Sequence, residues 1–148
     1  MVDLKRQAAL RDAIELMYFA YRSFTDGPDR ILERRGLGRV HHRILYFIAR
    51  QPDVSVRGLL ATLDVSKQAL NAPLRQLMEM NLVSSSSGLE DRRIRNLRLT
   101  PEGHRLEAEL TGVQMERLEA AFEACPAVDE RAWRRIMVQL GEAAPPET

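Results

Sequence analysis

Two clusters in this 148-residue chain carry side chains whose types and spacing suit recognition of nucleic acid. In the segment from Ser66 to Leu77, Gln68, Asn71 and Arg75 recur at three- and four-residue spacing, which sets them along one face of a helix. Gln and Asn amides pair with an adenine edge and Arg with a guanine edge, each good bidentate pair giving about 1–3 kcal/mol of discrimination. Ser66 and Lys67 sit where such a helix would start, the place where backbone N–H groups and a cation hold phosphate. The second cluster is Arg92, Arg93, Arg95 and Arg98. Arginines at a hairpin tip suit the negative potential of a narrow minor groove, and Asp91 would orient one of them. Both clusters also fit a plainer reading, a solvated helix face and an edge hairpin protected by charge.

The surrounding pattern builds what would hold these residues. Ser55 reads as a helix N-cap before the stripe Val56, Leu59, Leu60 and Leu63. A tight turn at Leu63-Asp64-Val65 follows, with Asp64 at a position that wants a positive φ. Ser66 caps a second short helix whose stripe is Leu70, Leu74 and Leu77, leaving Lys67, Gln68, Asn71, Arg75 and Gln76 outward. Two short helices joined this tightly cross steeply, as in a helix-turn-helix. Pro73 lies inside the second helix and should kink or loosen it. Leu82-Val83 starts a strand, Ser84 to Asp91 form a flexible tip, and Ile94 to Leu99 return with Leu97 and Leu99 on one face and Arg98 on the other.

Thr100-Pro101-Glu102 opens a long helix running to about Ala124. Pro126 interrupts it, and Trp133, Ile136 and Leu140 mark a last helix before a tail, 143–148, expected to be disordered. At the other end, residues 4–24 form an amphipathic helix broken by Thr25-Asp26-Gly27-Pro28, with a short helix near 28–35. Val40 to Arg50 form a helix buried on most sides, ended by Pro52. The fold class is therefore mostly α with a small β-hairpin wing, a winged helix-turn-helix with helices added at both ends. The parts are 1–38 (helix and linker), 39–103 (winged helix-turn-helix) and 104–148 (C-terminal helices and tail).

Composition sets bounds on function. The net charge is only +1. Its distribution is uneven: residues 1–53 carry ten Lys/Arg against seven Asp/Glu, residues 54–103 seven against five, and residues 104–148 five against nine. The acidic C-terminal part is a poor partner for phosphates. No apolar run approaches the ~20 residues of a membrane span, and the N-terminus has no apolar signal core. The single cysteine, Cys125, makes no internal disulfide, which together with the missing signal points to a cytoplasmic protein.

The stretch LLATLDVSKQALNAPLRQLMEMNLV, followed by EDRR and then LRLTPEG, resembles the MarR family of bacterial regulators. The resemblance is sharpest over residues 54–103 and follows the helix order over most of the chain. It implies a homodimer joined through the terminal helices, binding double-stranded DNA at a palindromic operator. Repression is the default sign of regulation, a small-molecule or oxidant signal is often present, and a small aromatic or anionic effector is the candidate for this chain. It implies DNA contact by Ser66, Lys67, Gln68, Asn71, Arg75, Arg92 and Arg93. Pro73 and the short Ala72 depart from the family pattern and bear on the DNA geometry.

The resemblance also places ligands near Tyr18, Tyr21, Arg22, His42 and Tyr46. An Arg among Tyr and His residues is a sensible holder of an aromatic carboxylate, although the same aromatics suit a core and His41 and His42 a surface or a helix cap. The two histidines are adjacent and point ~100° apart on a helix, so they do not share an ion easily. No metal set, cofactor loop, nucleophile or paired-carboxylate constellation is evident, so neither a cofactor nor an enzymatic activity is expected. Cys125 reads as a small buried or interface residue. The runner-up reading is a protein-interaction dimer, in which a kink at Pro73 has disabled DNA reading.

Overall fold

The computed structural model describes residues 3–87 and 94–142. Its elements run α1 (Leu4–Arg34), α2 (Arg39–Arg50), β1 (Val54–Ser55), α3 (Val56–Leu63), α4 (Lys67–Glu79), β2 (Val83–Ser87), β3 (Arg95–Leu99), α5 (Pro101–Glu123) and α6 (Ala127–Glu142). Two compact units divide the chain, Met1–Gln114 and Met115–Thr148, with the boundary inside α5.

The first unit holds the core. Ile44, Leu45 and Ile48 of α2 pack with Leu59 of α3, Leu70, Leu74 and Leu77 of α4, and Leu97 and Leu99 of β3. Leu32 from the end of α1 and Leu106 and Leu110 of α5 close the same cluster. The sheet has the order β1-β3-β2, antiparallel throughout, with Val83 opposite Leu99 and Val54 opposite Leu97. β1 is too short to leave a sequence pattern and joins the wing to the end of α2. Ser84 to Ser87, expected as part of a flexible tip, are instead paired strand, because their backbone groups meet Arg98 to Arg95 residue for residue. The rest of that tip, 88–93, lies outside the described residues, as does the tail 143–148 expected to be disordered.

The break expected at Thr25-Asp26-Gly27-Pro28 is also absent, and with it the separate helix near 28–35: α1 is one helix of 31 residues. The local breakers are reconciled by packing. Thr25 Oγ1 donates to the Tyr21 carbonyl at 2.9 Å, and Thr25 and Pro28 are buried. Pro28 removes one N–H donor from α1 and crowds the carbonyl one turn back, and its burial offsets that cost. At Gly27 a Cβ would stand 2.6 Å from Val113 Cγ1, so glycine there permits close approach of α5. Gly103 has the same role at the start of α5, where a Cβ would collide with the Leu82 carbonyl.

In the second unit, Phe122 and Trp133 meet edge to face with centroids 5.3 Å apart. α6 has no buried residue. Cys125, expected to be buried or at an interface, is exposed in the single chain.

Candidate nucleic-acid interface

Three local devices set the direction of α4. Ser55 Oγ accepts from the Gly58 N–H at 2.9 Å and caps α3. Asp64 then takes the left-handed conformation, φ 52° and ψ 48°, and turns the chain. Ser66 Oγ accepts from the Ala69 N–H at 3.1 Å and caps α4. Leu70, Leu74 and Leu77 face the core, while Ser66, Lys67, Gln68, Asn71 and Arg75 are exposed. α4 runs as helix through Pro73, which is half-buried.

Gln76 differs from its sequence expectation. It does not point outward but is half-buried, its Oε1 2.9 Å from His41 Nε2 and its Nε2 donating to the Gly36 carbonyl at 3.4 Å. Sequence spacing put it on the outer face because its partners lie 35 and 40 residues away.

Beside α4 runs a groove of about 980 Å³, lined by α3, α4 and the start of β3. Arg57, Lys67, Arg75 and Arg95 bring four cations to it, and Val56, Leu60, Leu74, Met78 and Ile94 supply apolar walls. Among the described residues no carboxylate lines it. Such a trough attracts polyanions and supplies methylene surface for the sugars and bases between phosphates. Arg57 was missed from the sequence; the available signal was its position one residue into α3 on the side away from Leu59.

The wing base is fixed by one ion pair. Arg98 donates through Nε and Nη2 to the two carboxylate oxygens of Asp53, each at 2.5 Å. Those bonds hold the Asp53 carboxyl below its usual range and raise the Arg98 guanidinium. Asp53 takes φ 68° and gives its N–H to the Leu97 carbonyl, so this aspartate bonds backbone and side chain of β3 alike. Arg98 is therefore engaged at the base of the wing. Arg92 and Arg93 lie outside the described residues.

The five residues expected near a ligand divide into separate groups. Arg22 lies over the rings of Tyr18 and Phe19, at 5.9 and 5.4 Å. Tyr21 accepts a hydrogen bond from Arg43 at 3.1 Å, with the Arg39 guanidinium 5.5 Å from its ring centroid. Arg39 is itself forked onto Asp29. Tyr46 meets Phe47 edge to face at 5.1 Å. His42 is buried, and its Nε2 lies 3.2 Å from Thr111 Oγ1. The Thr111 hydroxyl donates to Glu107, so its oxygen must accept from the imidazole, and His42 is the Nε2–H tautomer. Burial pushes the His42 pKa down from 6.5; Glu107 and Asp29 oppose this, and Arg43 adds to it.

Among the described residues no group of three or more His, Cys, Asp or Glu could hold a metal ion, and no helix is long and apolar enough to cross a membrane.

A sequence model described as "MarR family" matches residues 35–94. The chain is 43% identical over 135 residues to the HTH-type transcriptional regulator PetP of Rhodobacter capsulatus, covering 91% of this chain and 81% of that one. A crystal structure of a MarR family transcription regulator superposes with a TM-score of 0.77 at 21% identity, covering 91% of this chain and 89% of the other. S. aureus MarR in complex with salicylate and kanamycin gives 0.73 at 23% identity, with 93% of each chain covered. A mutant of S. aureus MepR bound to an oligodeoxyribonucleotide gives 0.62 at 15% identity, covering 86% of this chain and 94% of the other. These structural likenesses concern the fold.

Proposed function

This chain belongs to the MarR family of transcription regulators, and from that premise we propose that it binds a palindromic operator as a homodimer and represses by occluding the promoter. The observation that carries the reading is the exposed row Lys67, Gln68, Asn71 and Arg75 beside a groove lined, among the described residues, by four cations and no carboxylate. Gln68, Asn71 and Arg75 read base edges in the major groove, and Ser66 and Lys67 hold phosphate at the start of α4. Arg92 and Arg93 reach the backbone or the minor groove from the wing. A second copy covers the exposed apolar faces of the terminal helices and spaces the two copies of α4 about one DNA turn apart, ~34 Å.

Regulation by a small anionic aromatic compound is part of the same proposal. S. aureus MarR has been crystallised with salicylate. In this chain the cations Arg22 and Arg43 and the rings of Tyr18, Tyr21 and Tyr46 offer suitable chemistry, and His42 stands on the same helix as Arg43 and Tyr46. An effector would act through the distance or angle between the two wings. The proposal places the protein in the cytoplasm, without a cofactor and without catalysis. An interaction-only dimer has less to support it, since α4 is continuous through Pro73.

The test is a fluorescence-anisotropy titration against the DNA upstream of the protein's own coding sequence, at two salt concentrations, with a scrambled duplex alongside. A preference of ~10³ or more over the scrambled duplex is expected. Arg75→Ala should cost about 1–3 kcal/mol of that preference and leave the dimer intact. Equal affinity for both duplexes would reject sequence-specific reading.

A further inference from the structure

Adjacent histidines on α2 turn to different helices, and one of them faces the DNA reader. His41 Nδ1 accepts from the Gly38 N–H at 2.9 Å, capping α2. A ring nitrogen that accepts from a backbone N–H carries no proton, so Nε2 holds the hydrogen and donates it to Gln76 Oε1 at 2.9 Å. The Gln76 amide in turn gives its Nε2–H to the Gly36 carbonyl at 3.4 Å. The three bonds form a closed circuit from the α1–α2 corner through His41 to α4 and back. The corner residue between the two glycines, Leu37, is buried.

We infer that His41 is a positioning residue for DNA reading, a latch that sets the rotation of α4 through Gln76. This rests on the DNA-reading proposal above. Among the described residues, α4 is also attached to the core by the buried leucines at 70, 74 and 77. Their packing sets which face of α4 is inward, while the hydrophobic term itself has no preferred direction and leaves the last few degrees of rotation weakly defined. Hydrogen bonds are directional and narrow that remaining range. On a helix of about 5–6 Å radius, a 15° rotation moves a side chain by roughly 1.5 Å, enough to spoil a bidentate pair with a base edge. Gln76 follows Arg75 directly, so the latch acts beside the residues it would aim. Gln76 itself has both ends of its amide engaged and is half-buried.

The test uses the full chain, a duplex that the wild type selects from a random pool, and a scrambled duplex. Gln76→Met keeps the size and removes both amide bonds. His41→Asn keeps an acceptor for the Gly38 N–H but is too short to reach α4. Each variant should lose about tenfold in affinity for the selected duplex and stay within about twofold on the scrambled one, and the double variant should be no worse than either single variant. Unchanged discrimination in both variants overturns the latch. So does a proportional loss on both duplexes, which would mean a merely structural role. Loss in Gln76→Met without loss in His41→Asn would make Gln76 a direct DNA contact and overturn it equally. Long-range ¹⁵N–¹H spectra of the imidazole, recorded without DNA, supply an independent arm. The Nε2–H tautomer and a shift of its resonance in Gln76→Met are expected, and an Nδ1–H tautomer overturns the latch. A wild type that cannot separate the duplexes while the spectra show the Nε2–H tautomer marks the failure as that of DNA reading, and removes the latch's role with it.

Discussion

α4 and α6 carry large apolar side chains at the same helical spacing and have opposite surroundings. Leu70, Leu74 and Leu77 are 1%, 4% and 0% exposed; Trp133, Ile136 and Leu140 are 39%, 65% and 52% exposed. Periodicity states that a helix face wants cover. It does not state whether the cover lies in the same chain. For α4 the cover is α2, α3 and the sheet. For α6, and for Ile14 and Met17 of α1, nothing in the described residues buries the face, which supports a second copy as its partner.

The contrast breaks most sharply at Leu77. Leu77→Ala should remove about 3 kcal/mol from unfolding in urea, with the slope of the transition unchanged. A loss below about 1 kcal/mol would mean that the α4 stripe is not core. Ile136→Asp should act on assembly instead. The dimer dissociation constant should rise by roughly thirtyfold, about 2 kcal/mol, in sedimentation experiments over a concentration series, with helix content retained. If Ile136→Asp instead unfolds the chain at every concentration, α6 packs within its own protomer. The smallest effect belongs to His42. Its folded pKa lies below 6.5, so the unfolded chain binds its proton first. The stabilisation is therefore complete above about pH 6.5, declines as pH falls below it, and stops declining once the folded pKa is passed. His42→Gln should flatten that part of the urea-midpoint profile, and an unchanged profile would assign the acid sensitivity to other groups.

Features governed by near neighbours were legible in the sequence. The caps at Ser55 and Ser66, the left-handed Asp64 and the inward leucines of α4 each depend on residues within one or two turns. So did the exposure of Lys67, Gln68, Asn71 and Arg75. What could not be read depends on distant partners. Gly27 looks like a helix breaker until Val113 is set against it, and Gln76 looks outward-facing until His41 takes its amide. Arg98 counts as a free cation until Asp53 takes it. Arg57 becomes part of a site only when α3 is folded beside β3.

The four serines of β2 have a consequence of another kind. Considered as a message, Ser84-Ser85-Ser86-Ser87 repeats one letter and says nothing about which partner each residue should meet. Alignment of the hairpin must be spelled out at its root, where Val83 is buried opposite Leu99 and the Leu82 carbonyl receives the Thr100 N–H. An arm whose serines carry no alignment signal is open to edits along that stretch. Residues added or deleted in matched numbers in β2 and β3 alter reach by ~3.4 Å per pair while the root stays as it is, giving a lineage a way to retune how far the wing extends.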